Sequence, residues 1–142
     1  MRRPGSETRE HLLQGAQPPR QQILDLFDRV LASLQPDACR GCAFLMTLSE
    51  FPDKDLPAHR RAVAAKAWIR ARMHGLVRHL AEVETVEEPE ALADQLTLVL
   101  EGMNAWVQAL GVDGPITRAR ATAEVLLDAA TGRSARRQHT TG

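Results

Sequence analysis

Between residues 89 and 131 the chain carries more apolar helix surface than one packed core can cover, and this restricts its possible folds more than any other feature. From Pro89 to Gly111, Leu92, Leu96, Val99, Met103, Trp106, Val107 and Leu110 recur at helical spacing and form an ordinary core stripe. Leu98, Gly102, Ala105 and Ala109 line a second face of mostly small side chains. The next stretch is opened by Pro115 and closed by Gly132. Ile116, Ala119, Ala121, Ala123, Val125, Leu126, Leu127, Ala129 and Ala130 surround most of it, and only Thr117, Arg120, Glu124 and Asp128 form a narrow polar strip.

A terminal helix of that kind needs cover from two sides. Glycine in a helix interior costs about 1 kcal/mol relative to alanine, so Gly102 predicts the close approach of another helix. The cover comes either from other helices of the same chain or from a second copy, and periodicity alone does not choose between them. A two-fold four-helix interface, two helices from each subunit, buries all of this surface. Leu98, Gly102, Ala105, Ala109, Ala119, Thr122, Leu126 and Ala129 are the residues expected to face the partner.

The remainder of the chain also reads as helix. Residues 7–15 form a short amphipathic run ended by Gly15 and Gln17-Pro18-Pro19. From Pro19, Ile23, Phe27, Val30 and Leu34 make one buried stripe, with Leu24 and Leu31 beside it, until Pro36. The apolar segment 42–48, between Gly41 and Pro52, fits a helix or a buried strand by period, and its helical neighbours favour helix. Asp55 is placed to cap a long helix with Pro57 in its first turn and Ile69, Met73, Leu76, Leu80 and Val83 as its core stripe. Thr85 and Glu88 have capping-box spacing ahead of Pro89. The expected fold is all-α, an antiparallel bundle of about six helices, the last two forming a dimer four-helix bundle if a second copy supplies the cover. With no Tyr, three Phe and two Trp among 44% apolar residues, Leu and Ala must fill the core, which fits helices better than sheets.

Charge and cysteine content narrow the function. The chain is neutral overall, but residues 1–20 carry four Arg against two Glu and residues 132–142 three Arg and no acid. Between them 11 basic face 16 acidic residues, a net charge of −5 that repels phosphates, so direct binding of nucleic acid is not expected. No apolar run approaches membrane-spanning length, and a cytoplasmic protein is expected.

Cys39-x-x-Cys42 is the one reactive-looking spacing. It leaves open a helical thiol protein acting in redox or zinc chemistry, against the alternative of two small buried thiols at a helix entrance. Lys66, Arg70, His74 and Arg78, at steps of four, form a basic stripe without interleaved aromatics, which favours a solvated face paired with nearby acids. The five histidines join no triad, nor is there a nucleophile elbow or phosphate loop. No enzyme activity, metal or cofactor is expected. Phe27, Leu31, Phe44, Leu48, Trp68, Met103 and Trp106, with Asn104 and Arg72 as polar guides, are the candidates to line a cavity for a small hydrophobic effector, and a filled core is equally compatible with the same stripes.

Three phrases resemble the tetracycline-repressor-like (TetR/AcrR) regulators. They are Cys39-Arg40-Gly41-Cys42-Ala43-Phe44-Leu45 with Glu50 and an Arg-rich helix after it, Pro89-Glu90-Ala91-Leu92-Ala93-Asp94-Gln95-Leu96 with Gly102 following, and Arg120-Ala121-Thr122-Ala123-Glu124-Val125-Leu126-Leu127-Asp128-Ala129-Ala130. The resemblance spans about residues 6–131. It implies an all-helical effector-binding domain of a transcriptional repressor that dimerises through its last two helices. In that family a DNA-reading helix-turn-helix precedes this domain. Here Ser6-Glu7-Thr8-Arg9-Glu10-His11-Leu12-Leu13 resembles the connecting helix that follows such a reader, so the reader is expected to be missing. The expected organisation is a residual connecting helix over 1–17, an effector-binding and dimerisation domain over 18–131, and a disordered basic tail over 132–142. The expected partner is a second copy or an intact homologue.

Overall fold

Proline sits in the first turn of each of the three longest helices, where its fixed φ suits the helix and its missing N–H would have had no intrahelical acceptor. The computed structural model describes residues 17–34 and 43–133. Within them lie α1 (Pro19–Ser33), α2 (Ala43–Glu50), α3 (Pro57–Val83), α4 (Pro89–Leu110) and α5 (Ala119–Ala130). Two short 3-10 turns, Gly111–Asp113 and Pro115–Arg118, join α4 to α5. No strand occurs among the described residues, and the fold is all-α. The run over residues 7–15, Cys39, Cys42 and the tail beyond Arg133 lie outside the described residues.

Helices α3 and α4 form an antiparallel hairpin. Lys66 pairs with Glu101, while Arg70 and His74, further along α3, pair with Asp94, nearer the start of α4. Helix α1 runs antiparallel to α5, with Arg20 on Asp128 at one end and Asp28 on Arg120 at the other. The core fills the space among these four helices. Ile23, Leu24 and Phe27 come from α1, Met73, Val77 and Leu80 from α3, Leu92, Leu96, Leu100, Met103 and Val107 from α4, and Ala123 and Leu127 from α5. Ile116, in the second 3-10 turn, closes the core at the α4–α5 corner. Helix α2 packs on α3 and contributes no described side chain to that core.

Helix ends follow local chemistry, with two corrections at N-termini. Gly111 and Gly132 follow the ends of α4 and α5 with φ of 57° and 71°, positive values that glycine adopts without a Cβ clash. Asp55 does not cap α3. The N-cap is Leu56, and Asp55 is held instead in the preceding turn, its N–H donating to Asp53 Oδ1 at 2.9 Å. Thr85 and Glu88 form no capping box, because α4 starts at Pro89 and Glu88 itself occupies the N-cap position, with φ 45° and no side-chain cap bond. The Glu87 N–H donates to the Ala130 carbonyl at 2.9 Å and ties the α3–α4 connection to the end of α5.

Three core assignments also change. Val83 is exposed because α3 outruns the core by its last turn, after Leu80. Trp106 lies on the flank of α4, about a quarter turn from the stripe centred on Leu96, Leu100 and Met103, and is half exposed. Leu110 lies past the end of the core and is exposed. Leu100 and Ala93 take the buried places instead.

Candidate functional site

The polar strip of the last helix faces inward across the bundle. Arg120 Nε donates to Asp28 Oδ2 at 3.0 Å and its Nη1 to Glu124. The Asp28 hydrogen bond, more than the fields of Asp28, Glu124 and Asp25, holds the Arg120 guanidinium above its ordinary pKa. Asp128 receives Arg20, and both side chains are largely buried, at 13% and 16% exposure. Arg133 reaches Glu84 at the end of α3. Helix α1 therefore covers the polar side of α5, and the opposite, apolar side turns outward.

That outward side is continuous with the second face of α4. Leu98 keeps 73% of its surface exposed, Val125 66% and Trp106 49%. Ala105, Ala109, Thr122 and Ala129 are exposed beside them, and Gly102 and Leu126 are half-buried. Ala119 differs: it is buried against its own chain and belongs to the core. A Cβ built on Gly102 meets no atom of another element within 4 Å among the described residues, so no packing among them explains the glycine. Between the two helices runs a shallow groove of about 200 Å³, with Gly102, Met103 and Trp106 on one wall and Ile116, Arg118 and Thr122 on the other.

The nine residues expected around an effector are spread over several environments. Phe27 and Met103 are core side chains. Leu31, Leu48 and Asn104 are half-buried, while Phe44, Trp68 and Arg72 are exposed, Trp68 at 67%. Only Met103 and Trp106 of this set line the α4–α5 groove.

A larger groove, of about 600 Å³, lies on the outside of the α3–α4 hairpin and was not expected from the sequence. His74 and Arg78 line it from α3, and Glu88, Pro89, Glu90 and Ala91 from the start of α4. The basic stripe leading to it is largely paired, as a solvated face next to acids should be. Arg70 Nε and Nη2 donate to the two Asp94 oxygens at 2.7 and 2.8 Å, and His74 Nε2 donates to Asp94 Oδ1 at 2.8 Å. These bonds, Arg70 first, hold the Asp94 carboxyl well below the usual carboxylate range. The signal for the groove was in the sequence, in the basic stripe and the acid-rich 84–90 segment, but their separation was not.

Among the described residues no group of three or more His, Cys, Asp or Glu side chains is placed to hold a metal, and no helix is long and apolar enough to cross a membrane. The Cys39 and Cys42 pair lies outside the described residues.

An all-helical bundle with a long antiparallel α3–α4 hairpin and an exposed apolar α4–α5 face places the chain among all-α helical-bundle domains. Residues 19–123 match the family described as Tetracyclin repressor-like, C-terminal domain, and the chain belongs to that family. Domains of this family serve regulators in ligand binding and dimerisation and are in general not enzymes. No curated protein and no solved structure matches the chain.

Proposed function

We propose that the chain is the effector-binding and dimerisation domain of a cytoplasmic transcriptional regulator, with residues 18–131 as the working unit. The observation that carries this reading is the outward face of α4 and α5. Leu98, Trp106 and Val125 leave water only if another molecule covers them, and fully burying such a side chain contributes roughly 1.5–3 kcal/mol. A two-fold axis across this face doubles every such gain. Gly102 lies in the same face with open space around it, as a close helix crossing requires.

The ion pairs of α1 with α5 suggest how the domain responds. Arg20–Asp128 and Arg120–Asp28 hold α1 to the dimer helix at both ends, so a rotation of α5 within the dimer carries α1 with it. An effector drives such a change only as far as it binds one arrangement more tightly than the other.

Cross-linking tests the reading. In a Cys39→Ser, Cys42→Ser background, a single cysteine at Ala105, on the face, should give a disulfide-linked dimer under mild oxidation. One at Arg61, on the exposed side of α3, should not. Equal yields from both positions, or none from Ala105 and from a second face position, Ala109, refute the assignment.

A further inference from the structure

The α3–α4 hairpin pairs its charges across the two helices until the pairing stops. Lys66 meets Glu101, and Arg70 and His74 meet Asp94. One turn further along α3 comes Arg78, and facing it at the start of α4 are Glu88 and Glu90. Here charges of opposite sign do not close on each other. None of the three side chains has a hydrogen bond or ion pair among the described residues, although Glu90 lies within the field of Arg70, and the groove of about 600 Å³ lies between them.

The Arg78 side chain folds back along α3 over Gly75, its Nη2 at ordinary contact distance, 3.9 Å, from where a Cβ would stand. Arg78 therefore also borders the adjoining depression over Ala67 and Ala71. On α4, Pro89 and Ala91 supply apolar wall between and beside the two acids. The volume is within the range of about 300–1,000 Å³ typical of small-molecule sites.

We propose that this groove binds a small zwitterion, its carboxylate at Arg78 and its ammonium at Glu88 and Glu90, with a short apolar spacer over Pro89 and Ala91. A bare anion meets two carboxylates on the α4 wall, and a bare cation meets Arg78 and His74 on the α3 wall. A ligand with both charges satisfies both walls. A planar guanidinium suits a carboxylate better than an ammonium group does, because it offers two parallel N–H donors. The assignment rests on reading the chain as an effector-binding domain, and it changes the expected effector from hydrophobic to doubly charged.

The test is calorimetric titration of the full chain with 4-aminobutyrate, 6-aminohexanoate and 8-aminooctanoate, against hexanoate and hexylamine as singly charged controls. At least one ω-aminocarboxylate should bind ten or more times as tightly as either control. Arg78→Gln and Glu90→Gln should each weaken it roughly tenfold, the effect of losing one charge-assisted hydrogen bond, and Arg78→Lys should restore part of the loss. Both positions are exposed, and thermal melts of the free variants report whether folding is intact. Zwitterions that bind no better than the controls overturn the proposal, as does an Arg78→Gln variant that folds and binds like the wild type. Zwitterion binding by a protein that fails the cross-linking test would sink the dimer reading alone, and a dimer indifferent to zwitterions would sink this site alone.

Discussion

Replacing Gly102 by alanine should move the stability of the subunit and the stability of the dimer in opposite directions. Gly102 is in the interior of α4, and a Cβ there meets no other element within 4 Å among the described residues. Alanine is favoured over glycine in a helix interior by about 0.8–1 kcal/mol, so the isolated subunit gains that amount. For a domain of this size the gain raises the melting temperature by about 3–4 °C. In the dimer the same methyl enters a close helix crossing, where an added methyl typically costs about 1–3 kcal/mol. Two-fold symmetry enters it twice, and the lower bound of about 2 kcal/mol weakens association roughly thirtyfold. Both numbers are measurable. Sedimentation velocity over a concentration series gives the dimer dissociation constant, and melts in a Leu98→Asp background, where the face carries a charge, give the subunit alone. A Gly102→Ala dimer within threefold of the wild-type affinity would refute the close crossing at this residue, whatever happened to the melting temperature.

The α1–α5 pairing, the acid response and the two tryptophans supply three more tests. Asp128→Ala leaves the largely buried Arg20 guanidinium without its carboxylate, and should cost about 2–3 kcal/mol in urea unfolding, below the range for a fully buried pair because some exposure remains. The Arg20→Met, Asp128→Leu double variant should recover most of that loss, and a double variant as unstable as the single one contradicts the assignment. The Asp94 carboxyl is held below its ordinary value of 3.8, so its contribution to stability is full above that value and is lost as pH falls beneath it. Urea midpoints should therefore fall less between pH 5 and pH 3 for Asp94→Asn than for the wild type. With Trp68→Phe, the remaining Trp106 emission should shift to the blue as concentration rises through dimerisation. With Trp106→Phe, the Trp68 emission should stay where it is.

Much of the fold was legible in the sequence because helix boundaries and core stripes depend on near neighbours. Pro19, Pro89, Gly111 and Gly132 mark real helix ends, and Ile23 with Phe27, Met73 with Leu80, and Leu92 with Leu96 are real core positions. The second face of α4, through Leu98, Ala105 and Ala109, is where its spacing put it. What the spacing did not contain was the far side of each contact. Arg120 and Asp128 look like a solvent-facing strip until they are seen to pair with Asp28 and Arg20, 92 and 108 residues away. Ala119 shares its small size with the outward residues, and only the position of α5 on the bundle puts it inside. The expected effector residues are spread over several environments for a related reason. Phe27, Trp68 and Trp106 each lie on an apolar stripe, but whether stripes on different helices enclose a space depends on how those helices cross. The α3–α4 groove was hidden in the same way, since Arg78 reads like the three paired residues before it on the stripe.

Everything proposed for the α4–α5 face reduces to whether one subunit is enough to cover it. Sedimentation equilibrium of the full chain at micromolar concentration answers this directly. The wild type should run at twice the 15.7 kDa chain mass and Leu98→Asp at the chain mass itself. A wild type that remains a 15.7 kDa monomer with Leu98, Trp106 and Val125 in water would contradict it.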